Sequence, residues 1–66
     1  MTHGHADHVL YALGACQSLA GDLRGAYENL RRAIDLQPNN RRAARQDPDF
    51  SAAIERPMFR RLLYPD

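Results

Sequence analysis

The 66-residue chain contains no tryptophan, no lysine and only one cysteine. A single cysteine excludes an internal disulfide and fits a reducing cytoplasm, which is the location we expect. No segment approaches the roughly 20 consecutive apolar residues of a membrane-spanning helix, and the first residues lack the basic and apolar regions of a signal peptide. The sequence therefore predicts a cytoplasmic protein with no membrane partner.

The short length limits the stability that one copy can reach. A chain of this size buries only about 60% of its extended surface and is marginal on its own. A hydrophobic content of 44% nevertheless excludes wholesale disorder. We therefore expect a neighbouring copy, a partner or a larger parent protein to contribute to stability.

All nine basic residues are arginine, and six of them lie in residues 41–66. Genomic base composition is the simpler explanation for this bias, and a selected anion-binding surface is the alternative. Nucleic-acid-binding faces are usually densely basic with a high pI, whereas the pI here is about 8.0 and acidic residues are interspersed. We expect solvated helix faces with local ion pairs, and no nucleic-acid partner.

Apolar residues from position 23 onward recur at helical spacing. They are Leu23, Ala26, Tyr27, Leu30, Ala33 and Ile34. Gaps of three and one predict a single apolar stripe on a helix over about residues 23–36. Asp22 is its expected N-cap, and Pro38 ends it because proline disfavours helix just before itself.

A first helix is predicted over about residues 8–20, with Asp7 as N-cap and Gly21 ending it in a left-handed conformation. Its expected buried face consists of Val9, Leu10, Leu13, Cys16, Gln17 and Ala20. On that face Cys16 is expected to be a small buried hydrophobe and not a nucleophile. Gly14 costs roughly 1 kcal/mol against alanine inside a helix, a cost that close approach of a partner helix offsets.

The spacing of these residues resembles the tetratricopeptide repeat, whose pattern of about 34 residues is W-x2-L-G-x2-Y, then A-x3-F, then P. The corresponding residues here are Leu10-x2-Leu13-Gly14-x2-Gln17, Ala26-x3-Leu30 and Pro38. The resemblance implies an antiparallel hairpin whose first helix lines a groove for partner peptides. The contact residues that it implies are His8, Tyr11, Ala15 and Ser18. The alternative is that these positions are solvated or packed against a neighbour.

Residues 43–63 resemble the closing segment of many bacterial tetratricopeptide proteins. The matching residues are Asp47-Pro48-Asp49-Phe50, Ile54, Pro57, Phe59, Leu62 and Leu63. The resemblance implies short helices that fold back over the last repeat, as repeat arrays need an end piece. Asp47 is the expected N-cap of this segment, with Pro48 at the first helical position. The side chains expected to seal the repeat are Phe50, Ile54, Phe59, Leu62 and Leu63.

Residues 2–8 read T-H-G-H-A-D-H, the zinc-binding string of the metallo-β-lactamase family. In that family the string binds a zinc pair whose bound water attacks the substrate. The family places a strand before the string and further ligands after it, whereas here no strand is predicted and no histidine follows His8. We expect a coincidental polar lead-in, with adventitious metal binding by His3, His5 and His8 as the alternative.

Together these patterns predict an all-α fold of about five helical segments: a lead-in over residues 1–7, a hairpin over residues 8–40 and a cap over residues 41–66. The expected function is non-enzymatic protein–protein interaction by a scaffold of the tetratricopeptide type, with no catalytic residue, cofactor or resident metal. The expected partner is a protein or peptide, or a second copy in a homo-oligomer, because one hairpin offers little groove. The alternative is a metal-binding protein or metallo-hydrolase-like fragment that uses the N-terminal string.

Overall fold

The computed structural model describes the backbone of residues 4–65 and the side chains of residues 6–65. The helices in this range are α1 (Gly4–Ala20), α2 (Leu23–Leu36), α3 (Asn39–Gln46) and α4 (Pro57–Leu63), with two 3-10 turns, Pro48–Phe50 and Ala53–Glu55, between α3 and α4. No strand occurs in the described range, so the all-α prediction is confirmed.

α1 and α2 pack as an antiparallel pair whose backbones come very close together. A Cβ atom at Gly14 would lie 3.3 Å from the carbonyl oxygen of Ala26 and 3.4 Å from the amide nitrogen of Leu30. Both neighbours are backbone atoms, which cannot turn aside as a flexible side chain can. The close approach therefore offsets the helix propensity that glycine loses in the middle of α1.

The predicted end of α1 at Gly21 and the predicted N-caps Asp22 and Asp47 are confirmed. Gly21 has φ of 88°, which is the left-handed conformation that glycine adopts without strain. The Asp22 carboxylate accepts a hydrogen bond of 3.1 Å from the Gly25 N–H at the start of α2. Further along, the Asp47 carboxylate accepts one of 2.9 Å from the Asp49 N–H at the first 3-10 turn. Each aspartate thus satisfies an amide that has no partner within its own helix.

The predicted role of Asp7 as an N-cap is wrong. α1 begins at Gly4, so Asp7 lies within its first turn, and only 4% of the residue is exposed. The side-chain amide of Asn40 donates to the Asp7 carboxylate at 2.8 Å and to the Ala33 carbonyl at 3.0 Å. Asp7 therefore connects the start of α1 to the start of α3.

The core lies where the C-terminal segment covers the hairpin. Its largest fully buried side chains are Phe50, Phe59, Leu30 and Leu63. Of the five side chains predicted to seal the repeat, three are among these four, and the remaining two, Ile54 and Leu62, pack against them while partly buried. Their predicted place in the core is therefore confirmed, in full for three side chains and in part for two.

Aromatic contacts tie the C-terminal segment to both helices of the hairpin. The ring of Phe50 meets that of Tyr11 on α1 edge-on at a centroid distance of 5.5 Å, and Phe59 meets Tyr27 on α2 at 5.8 Å. Such edge-to-face pairs contribute beyond the apolar area that they bury.

The predicted buried face of α1 is wrong. Val9 and Leu13 are 65% and 46% exposed, and Cys16 and Ala20 are also exposed, while Leu10 and Gln17 are half-buried. The buried residues of α1 are instead Asp7, Gly14, Ala15 and Ser18. Small and apolar residues surround α1 on nearly all sides, so periodicity alone could not select the face that packs inward.

Two arginines of α3 stabilise the end of α4 and are not simply solvated. The Nε of Arg41 donates to the Leu62 carbonyl at 3.0 Å, and that of Arg45 donates to the Leu63 carbonyl at 2.6 Å. Arg45 also lies over the Tyr64 ring, 4.7 Å from its centroid. The last carbonyls of a helix lack partners and carry partial negative charge, so both cations are favourable there.

Candidate interaction surface

The inner side of α1 is bound to the C-terminal segment by polar as well as aromatic contacts. The Tyr11 hydroxyl donates to the Asp47 carboxylate at 2.7 Å. The Ser18 hydroxyl donates to the Asp49 carbonyl oxygen at 2.9 Å. Asp47 also caps the first 3-10 turn. The same carboxylate therefore stabilises this turn and connects it to α1.

Two of the four predicted contact residues, Tyr11 and Ser18, are bonded to this segment. Ser18 and Ala15 are buried and Tyr11 is half-buried, whereas His8 is exposed. A partner therefore has no free access to Ser18 and Ala15 and only partial access to Tyr11. The structure therefore does not bring the four residues together on one accessible surface.

The contact with Asp47 changes the acidity of Tyr11. Burial, the hydrogen bond to Asp47 and the negative charges of Asp47 and Asp49 all raise the pKa of the Tyr11 hydroxyl well above its ordinary value of about 10. The folded protein therefore keeps a proton that the unfolded chain releases at alkaline pH.

Stability is expected to fall as pH rises above about 10, because the unfolded chain then releases the Tyr11 proton while the folded state retains it. Below that pH this contribution is fully present. The measurement is the free energy of unfolding in urea between pH 8.5 and pH 11. Tyr11→Phe should flatten the pH dependence relative to the wild type. Equal slopes in the wild type and the variant would contradict the assignment.

Gln17 supplies a polar connection between α1 and α2. Its side-chain carbonyl accepts a hydrogen bond of 2.7 Å from the Asn29 amide, and its own amide lies 3.4 Å from the Asp22 carboxylate. A Cβ atom at Gly25 would collide with both the Gln17 and the Asp22 side chains. Gln17, which stands where the repeat pattern has a tyrosine, thus forms a hydrogen bond with α2.

The opposite side of α1 is exposed, apolar and uncharged. We call it the outer face of α1, and it consists of Val9, Ala12, Leu13, Cys16, Leu19 and Ala20. Its large side chains are well exposed: Val9 by 65%, Leu13 by 46% and Leu19 by 67%. No residue from 9 to 20 carries a charge. A helix side that faces water usually carries polar or charged residues, so the outer face of α1 resembles a surface that packs against another molecule.

The other three helices show charge at their exposed positions. The exposed charged residues are Arg24, Glu28, Arg31, Arg32 and Asp35 on α2, Arg42 and Arg45 on α3, and Arg60 and Arg61 on α4. Arg31 and Asp35 form an ion pair of 3.5 Å at the i, i+4 spacing. Within the described range the outer face of α1 is therefore distinct from the exposed faces of α2, α3 and α4.

A shallow cavity lies between α1 and the end of α2. Its volume is about 240 Å³, and Leu10, Arg32, Asp35 and Leu36 line it. Sites for small organic ligands usually occupy about 300–1,000 Å³ and enclose most of the ligand. This cavity is below that range, so it offers less support for a small-molecule site than the outer face offers for a macromolecular one.

The first turns of α1 run through the histidine-rich string. Of its residues, Thr2 and His3 and the side chain of His5 lie outside the described part of the structure. The Asp7 carboxylate points at Asn40 and is buried, while His8 is exposed. No group of three or more side chains able to hold a metal ion occurs among the described residues.

No family model, curated protein or solved structure matches the chain. Among the described residues, no helix is both long enough and apolar enough to cross a membrane.

Proposed function

We propose that the chain is a non-enzymatic protein–protein interaction module of the tetratricopeptide type, which acts by self-association or within a larger complex. The observation that carries the proposal is the outer face of α1, an apolar and uncharged surface over residues 9–20. Exposed apolar patches of this kind mark interaction sites on small proteins. A cytoplasmic location belongs to the proposal and is supported by the single, unpaired cysteine.

The hairpin supports the repeat assignment at two points. Gly14, which stands at the glycine of the repeat pattern, lies where the α2 backbone leaves no room for a larger residue without a shift. The C-terminal segment places Phe50 and Phe59 in the core, as a cap does at the end of an array. One side of the hairpin is then closed by the chain itself, and the other side remains for a partner.

Affinity capture from a lysate of the native cell tests the proposal. The baits are the wild-type chain, Leu13→Lys, which places a charge on the outer face, and Leu36→Lys, which places the same charge on an exposed leucine of α2. Quantitative mass spectrometry should find proteins that the wild type and Leu36→Lys retain and Leu13→Lys loses. An identical set of proteins on all three baits, or no specific protein on any, would contradict an interaction role for this face.

A further inference from the structure

We infer that the outer face of α1 binds the outer face of a second copy of the chain, with the two helices antiparallel about a two-fold axis. This inference rests on the proposed function and names its partner. It follows from the absence of charge on the surface and from the spacing of its side chains, and the size of the surface sets the expected affinity.

The absence of charge restricts the partner. Any group that contacts Leu13 or Cys16 loses its water, and a charged group there would have no opposite charge to pair with. The partner must therefore present an apolar, uncharged face of its own. Of the four described helices, only α1 presents such a face, since α2, α3 and α4 all expose charged side chains. The surface that best complements the outer face is the outer face itself.

The spacing of the central side chains is unchanged when the helix direction is reversed. Val9, Leu13, Cys16 and Ala20 follow one another at intervals of four, three and four residues. A two-fold axis midway along this row pairs Val9 with Ala20 and Leu13 with Cys16 of the second copy. Each pair joins a larger side chain to a smaller one, which is the arrangement that favours close packing along the seam. An interface between identical surfaces closes as a dimer and leaves no free end.

The size of the face sets the strength of the contact. The outer face extends over residues 9–20 of α1, so it is roughly 18 Å long. One such face is smaller than the roughly 800 Å² per partner of a standard stable interface. We therefore expect a reversible dimer with a dissociation constant on the order of micromolar, and not a permanent one.

Sedimentation equilibrium of the purified chain, at concentrations from about 0.1 to about 100 μM, tests the inference. The mass of the wild type should rise from 7.5 kDa towards twice that value as concentration increases. Leu13→Lys should remain at the monomer mass, and Leu36→Lys should follow the wild type. Far-UV circular dichroism should be equal in all three, because Leu13 and Leu36 are both exposed and lysine is a good helix former.

Three results would overturn the inference. They are a monomer mass at every concentration, a mass that grows beyond the dimer, and a Leu13→Lys variant that dimerises like the wild type. A strictly monomeric chain whose outer face still captured a different protein from the lysate would overturn self-association and leave the interaction function standing. The two experiments therefore separate failure of this inference from failure of the proposed function.

Discussion

Phe59→Ala is expected to remove most of the stability of the fold. Phe59 is fully buried, meets Tyr27 edge-on at 5.8 Å and lies 6.5 Å from the ring of Phe50. Truncating a buried phenylalanine to alanine costs about 3–5 kcal/mol. A core in a chain this small rarely supplies more than about 3–5 kcal/mol in total. Urea denaturation at fixed protein concentration, followed by circular dichroism, should show a largely unfolded variant.

Tyr64→Ala is the matched control, because it removes a half-exposed aromatic residue from the same segment. The expected loss is about 0.5–1 kcal/mol, the size of an exposed stack with Arg45. If the two variants unfolded at similar urea concentrations, the C-terminal segment would not be packed on the hairpin as described.

Asn40→Ala is the second change with a large expected effect. The Asn40 amide is the hydrogen-bond donor to the buried Asp7 carboxylate. Among the described residues this amide is the hydrogen-bond partner of the Asp7 carboxylate, and leaving a buried group unsatisfied costs about 1–3 kcal/mol if it is neutral and more if it is charged. We expect a loss of about 2 kcal/mol in the free energy of unfolding, after allowance for water entering the space that the amide leaves.

Asn39→Ala separates this effect from helix propensity. Asn39 is the exposed neighbour of Asn40 in the first turn of α3, so the substitution should change stability by less than about 0.5 kcal/mol. Equal losses from Asn39→Ala and Asn40→Ala would show that the Asp7 contact contributes nothing. Substituting Asp7 by alanine in the Asn40→Ala background should recover part of the loss, because the unsatisfied charge is then absent.

The buried face of a helix could be predicted from the sequence only where charged residues mark the opposite face. α2 was predictable because charged residues occupy one side and buried residues such as Leu30 the other. α1 has no charge between residues 9 and 20, so its apolar residues could not indicate which side turns inward. The choice is made by polar groups whose partners lie far along the chain.

Those partners explain why two of the predicted contact residues, Tyr11 and Ser18, are bonded to the C-terminal segment. Tyr11 bonds to a residue 36 positions away, and Ser18 to one 31 positions away. A local pattern contains no information on such pairs. By contrast, the caps at Asp22 and Asp47 involve neighbours two or three residues away, and the sequence predicted both.

The chain therefore closes one side of its hairpin with its own C-terminal segment and leaves the other side, the outer face of α1, exposed. Cys16 lies in the middle of the exposed side and reports on it directly. The decisive measurement is the rate at which a thiol reagent modifies Cys16 in the native protein, as a function of protein concentration. The account predicts rapid modification in dilute solution and progressive protection as dimers form. Slow modification at every concentration would place Cys16 in the core, and rapid modification at every concentration would show that no second copy covers the outer face of α1.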